Sequence, residues 1–255
     1  LSGTAVAATI GKNIISPELV TPSVMTAALI GAIFWNLFTW YFGIPSSSSH
    51  ALIGGLVGAV IAGFSLHHVN WMGFVQIFAG LVISPVVGLV AGSLVMTLLF
   101  WIFRGGSPAL INNKFRKLQM VSACMASFAH GSNDAQKTMG IITMVLVGGG
   151  FLSTFQVPLW VKVACALAMA AGTAMGGWKI IRTMGGKIFR IEPINGFAAD
   201  FTASSVIYSA SLLGVPVSTT HVVSSAIMGV GAAKRLRGVR WNIARQIVIA
   251  WFVTI

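Results

Sequence analysis

Two strings in this 255-residue sequence carry the same dense run of small hydroxyl side chains. Gly43-Ile44-Pro45-Ser46-Ser47-Ser48-Ser49-His50 recurs as Gly214-Val215-Pro216-Val217-Ser218-Thr219-Thr220-His221. The offset of 171 residues continues without a gap to Gly58 and Gly229. Proline cannot continue a helix that precedes it, but it starts a new one well. Each string therefore predicts a break between two helices, with Ser47, Ser48 and Ser49, or Ser218, Thr219 and Thr220, in the first turn of the second. That turn exposes unpaired N–H groups and the positive end of the helix dipole. Hydroxyl donors added to it make an anion cradle without a fixed positive charge. N-capping explains one hydroxyl per helix, not three in a row followed by His in both copies.

A third string, His130-Gly131-Ser132-Asn133-Asp134-Ala135-Gln136-Lys137, lies midway along the otherwise apolar stretch Leu118–Gly150. A carboxylate at that depth is costly unless paired or ion-coordinating, so Asp134 is a functional candidate. Gly131 predicts a helix break that frees carbonyls beside Asn133 and Asp134. Together with Ser132 these are hard oxygen ligands suited to a small cation such as Na⁺, or a protonation site. Asn133 also counts among the candidate anion ligands. The bland alternative is an i,i+3 pair between Asp134 and Lys137. His50, His221, Gln136 and Lys137 are expected to support the site, the histidines by hydrogen bonding near the hydroxyls. No Cys or Glu accompanies them at ligand spacing, so no metal beyond Na⁺ is expected. Asp200 is a second buried acid with less context.

Long apolar segments must position these strings. Hydrophobic residues make up 56% of the chain and charged ones 8%, with mean hydropathy +0.89. That composition predicts an all-α polytopic membrane protein and excludes disordered, collagenous and disulfide-scaffold classes. The net charge of +12 sits in short clusters between apolar segments, a loop pattern that speaks against nucleic acid. Expected spans are Ser23–Phe42, Ser46–Leu66, Gly73–Phe103 with a kink at Pro85, Leu118–Gly150, Leu159–Trp178, Gly196–Leu213 and Val217–Ala233. The chain begins and ends inside helices and reads as a piece of something longer.

The repeated hairpins imply an internal duplication. A weaker echo links Gly3-Thr4-Ala5 with Gly172-Thr173-Ala174. The basic loops Arg104–Lys117, Lys179–Arg190 and Lys234–Arg240 should face the cytoplasm, whereas Ser16–Pro22 and His67–Met72 hold no Lys or Arg. Three crossings separate the two hairpins. The second copy is therefore upside down, an inverted-topology repeat whose re-entrant-type hairpins meet near the bilayer midplane. Residues 1–103 form the first repeat, 104–117 a basic inter-repeat loop and 118–255 the second repeat. Carried onward, the offset pairs Pro85 with the position after Ile255.

The Pro-x-Ser-Ser-hydroxyl-His strings, with Gly-Ser-Asn-Asp-Ala-Gln-Lys-x-Met-Gly at 131–140, closely resemble the inorganic phosphate transporter (PiT) family over essentially the whole chain. The resemblance implies secondary transport of inorganic phosphate, coupled to Na⁺ or H⁺, by a multi-pass protein of the plasma membrane. It assigns Asn133-Asp134 to the family's Asn-Asp signature and Ser47, Ser48, Ser49, Ser218, Thr219 and Thr220 to the phosphate site. Family members carry the signature twice; here it occurs once, and the offset places the other copy about 40 residues before Leu1. No cofactor beyond the coupling ion is expected, and the partners are phosphate and lipid, with a homo-oligomer left open. Sulfate would suit the same hydroxyls. An anion channel would need cationic rings, and an intramembrane hydrolase lacks a Gly-x-Ser-x-Gly elbow, so no enzyme is expected.

Overall fold

The computed structural model describes residues 3–15 and 19–254. They form α1 (Ala5–Asn13), a hairpin of α2 (Pro22–Phe42) and α3 (Ser48–Gly63), and two long helices, α4 (Trp71–Phe103) and α5 (Pro108–Gly148). Next come α6 (Leu159–Ala174), α7 (Trp178–Arg182) running into a π-helical turn at Thr183–Lys187, a second hairpin of α8 (Pro193–Leu212) and α9 (Thr219–Lys234), and α10 (Trp241–Val253).

Local chemistry sets the hairpins. Pro22 and Pro193 each open a first arm. Gly43 (φ 67°) and Gly214 (φ 70°) close those arms in the left-handed conformation. Behind them the Ile44 N–H donates to Thr39 O and the Val215 N–H to Ala210 O, both at 2.9 Å. Ser47 and Ser218 then cap the second arms, their Oγ accepting the backbone N–H of His50 (3.2 Å) and His221 (3.3 Å).

Helix α4 packs along α9 and α5 along α8. Small residues allow the first approach: a Cβ on Gly92 would stand 2.7 Å from Ala226 O. On its other side α4 leaves Val86, Leu94 and Trp101 exposed, as a lipid-facing surface requires. Helices α2 and α4 are long and apolar enough to cross a membrane, and α6 with α7 makes a third candidate bent by 63°. The expected spans Ser46–Leu66 and Val217–Ala233 fall on α3 and α9, which are only 16 residues long each. At about 1.5 Å per residue these arms fall short of a hydrocarbon core of about 30 Å.

Two expectations about α5 are corrected. Gly131 does not break it: the helix runs 41 residues from Pro108 to Gly148. A glycine in a helix costs only about 1 kcal/mol, less than orphaned backbone groups would cost in an apolar surround. Nor is Arg104–Lys117 a loop, because only Arg104–Ser107 separates α4 from α5. Pro108 starts the helix early, so Lys114, Arg116 and Lys117 stand on its opening turns.

The two hairpins and the segments before them make reciprocal contacts. Thr9 Oγ1, on α1, donates to Gly214 O at the tip of the second hairpin (2.7 Å). Thr183 Oγ1, in the π turn, donates to Gly43 O at the tip of the first (3.2 Å). Likewise Asn70 N–H reaches Ile14 O, and Arg240 N–H reaches Ile188 O. The counterpart of α1 is therefore the segment around Lys179–Ile188, at an offset of 174 residues, and the echo at Gly172–Ala174 is not the structural match. Beyond the hairpins the offset is 170, since the Trp71 and Trp241 indoles donate to Leu66 O and Leu236 O in turn. This register pairs Pro85 with Ile255, which lies outside the described residues, rather than with the position after it.

Candidate functional site

The two hairpin tips and the middle of α5 converge on one side chain. Lys137 is 2% exposed, and its Nζ donates to Asp134 Oδ1 (2.5 Å), Ser49 Oγ (2.6 Å) and Val217 O (2.7 Å). An ammonium has three donors, and all three are used. Asp134 Oδ2 accepts from Thr219 Oγ1 at 3.0 Å and lies 3.6 Å from His130 Nδ1. First hairpin, second hairpin and α5 are thus joined through one buried ion pair.

The cradle consequently does contain a fixed positive charge, contrary to the expectation from the hydroxyl strings. The i,i+3 pair of Asp134 with Lys137 does form, but it is more than helix decoration. Four atoms long and flexible, the lysine stem carries its charge from α5 to groups in both repeats. Burying two charges is costly, and the Ser49, Val217 and Thr219 bonds complete the coordination that such a pair needs.

The remaining candidates divide. Ser47 and Ser218 are buried N-caps, the role that capping alone accounts for. Ser48 is exposed although its counterpart Thr219 is buried, and Ser49 is buried although its counterpart Thr220 is half-buried. The two cradles therefore contribute different hydroxyls to the centre. Asn133 is fully buried but turned away from Asp134: its Nδ2 donates to Ser211 Oγ on α8 at 2.7 Å, and its Oδ1 has no hydrogen-bond partner among the described residues. Gln136 Oε1 accepts the Val6 N–H (3.1 Å) and so caps the start of α1. Ser132 lines a cavity of about 500 Å³ between α5 and α6, together with Gly3, His130 and Thr173.

Only the backbone N–H groups of His50 and His221 bond the hydroxyls, and among the described residues their rings do not. At equivalent positions in the two strings, the rings meet each other with centroids 4.6 Å apart, and His221 also stacks on Trp251 at 4.0 Å. Asp200 lies outside this centre, hydrogen-bonded to Ser122 of α5. Among the described residues no three His, Cys, Asp or Glu side chains gather as metal ligands.

Sequence reasoning missed the tip contacts of Thr9 and Thr183. Their signal is an Ala5/Lys179, Thr9/Thr183, Ile14/Ile188 alignment at an offset of 174, each threonine also donating to the carbonyl four residues earlier. It missed Lys179 too, whose Nζ donates to Tyr41 O (2.7 Å) beneath the first tip.

Residues 1–255 match the phosphate transporter family. The chain is 49% identical over 253 residues to a probable low-affinity inorganic phosphate transporter of Rhizobium meliloti, covering 99% of this chain and 76% of that one. A protein of the same description from Bacillus subtilis is 48% identical over 255 residues, covering 99% and 77%. Among solved structures, one titled the sodium-dependent phosphate transporter aligns with a TM-score of 0.83 at 25% identity, covering 99% of this chain and 81% of its own.

Proposed function

Since this chain belongs to the phosphate transporter family, we propose that it is a secondary transporter carrying inorganic phosphate together with a coupling cation, Na⁺ or H⁺, through the centre where the hairpin tips meet α5. The observation that carries this reading is the convergence on Lys137 Nζ of Ser49 from one repeat, Val217 from the other and Asp134 between them. A substrate entering there meets hydroxyl and ammonium donors from opposite sides. Phosphate competes for Ser49 and Thr219, whose present partners belong to the protein itself, and opens the cradle as it binds.

Phosphate is favoured over sulfate by the acceptors. At neutral pH phosphate keeps at least one O–H, which can donate to the Asp134 carboxylate or the Val217 carbonyl. Sulfate has no proton to offer and would set its charge against that carboxylate. A channel is disfavoured because the single lysine here is paired with an aspartate rather than set in a ring. We assign the two repeats to 1–103 and 118–255, with Ser48 and Thr220 lining the approach, Ser47 and Ser218 capping the arms behind it, and Asn133, Gln136, His50 and His221 holding the surrounding helices. The protein belongs in the plasma membrane, and phosphate is its cargo rather than the substrate of an enzyme.

Reconstituted full-length protein should accumulate labelled phosphate above equilibrium under an inward Na⁺ gradient or, separately, an acid-outside pH gradient, with excess sulfate competing poorly. Flux that only equilibrates under both gradients would refute coupled transport.

A further inference from the structure

Asp134 Oδ1, Ser49 Oγ and Val217 O bring together a carboxylate, a hydroxyl and a backbone carbonyl, the hard oxygen types that bind a small cation. All three oxygens lie 2.5 to 2.7 Å from one point, and that point is Nζ of Lys137. A sodium ion using the same oxygens would have to stand where the ammonium stands. The oxygens therefore do not fit a free Na⁺ while Lys137 is present. We propose that Lys137 is a tethered cation that fills the second-repeat cation site, so that no free Na⁺ binds at Asp134. This rests on the transport reading above and makes Lys137 a determinant of cation specificity.

Three features support it. Lys137 is one turn from Asp134 on the same helix, so it cannot leave as an ion can. Its three donors are all satisfied, leaving it no reason to yield the position to a solvated ion. Its burial matches that of a bound ion rather than a surface lysine, which would keep its head in water.

The test counts bound ²²Na⁺ on purified full-length protein. Wild type and Asp134→Asn should bind the same number of sodium ions, because the aspartate holds lysine rather than sodium. Lys137→Met, with similar length and no charge, should bind one more than wild type. Asp134→Asn/Lys137→Met should lose that gain. The proposal is overturned if Asp134→Asn alone sheds a sodium ion, or if folded Lys137→Met gains none. Should Lys137→Met fail to fold, the Asp134→Asn count decides, and Ser49→Ala, which keeps the ion pair, should likewise leave the count at the wild-type value. Absence of phosphate uptake by wild type under every gradient would defeat the transport reading instead, leaving the sodium count to judge this one independently.

Discussion

Replacing Asp134 with Asn keeps the shape of the side chain and removes its charge. The buried Lys137 ammonium would then face a neutral amide, while Ser49 and Val217 continue to hold it in place. Breaking a buried ion pair from one side costs about 3–5 kcal/mol, because the partner is left uncompensated. For a chain of this length each kcal/mol moves the unfolding midpoint by about 2–4 °C. Asp134→Asn should therefore lower it by roughly 6–20 °C, and Lys137→Met, which strands the carboxylate, by a similar amount. The double variant Asp134→Asn/Lys137→Met has no orphaned charge and should recover most of the loss. Thermal unfolding in detergent, followed by the fluorescence of the eight tryptophans, measures all three. Independent sites add to within about 0.5 kcal/mol. Additive losses at this level would mean that the pair does not join the hairpins, and the site drawn around Lys137 would be wrong. Uptake supplies a separate reading: Asp134→Asn should abolish coupled phosphate transport even where the protein remains folded.

Thr219→Val removes a bond to a charged acceptor and should cost about 1.5–3 kcal/mol, whereas Ser48→Ala, at the exposed equivalent position, should shift stability by less than about 0.5 kcal/mol; equal losses in a melting assay would contradict the asymmetry of the cradles. Gly229→Ala drives a methyl into Leu89 O and should separate α4 from α9 at a cost of about 1–3 kcal/mol. At the equivalent Gly58 there is open space, so Gly58→Ala should be neutral or stabilising by about 0.5–1 kcal/mol in the same assay. With Cys124 and Cys165 replaced, His68→Cys and Arg237→Cys should label with an impermeant thiol reagent from opposite sides of the membrane, and labelling from one side would refute inversion.

Much of this architecture is written in local chemistry. Two Gly-x-Pro strings with capping serines suffice to place both hairpins, since every group that shapes those turns lies within a few residues. The register elsewhere was harder to see, because the linker before the hairpin is three residues shorter in the second copy and the one after it a residue shorter. A single offset of 171 therefore mismatched α1 and overshot at Pro85. The site was half legible. Asp134 stood out by its charge in an apolar stretch, and its pairing with Lys137 follows from helical spacing. Where the lysine head goes next depends on Ser49 and Val217, which are 88 and 80 residues away in sequence. Val217 takes part through its carbonyl, which no side-chain pattern reports. Gly131 misled for a related reason: a glycine breaks a helix only where the freed backbone can find other partners, and inside α5 it has none to gain.

The crossed contacts of Thr9 with Gly214 and Thr183 with Gly43 also set a timetable for biosynthesis. The first hairpin tip leaves the ribosome 140 residues before the threonine that ties it down, and Thr9 waits across 205 residues for its carbonyl. At about 5–20 residues per second of synthesis, the first tip spends on the order of 10–30 s without its partner. Neither repeat can complete its own hairpin, so each is finished only by the other. An insertion machinery that released the first half early would release it with its central polar groups uncovered. The order of translation thus makes the second half of the chain a folding factor for the first.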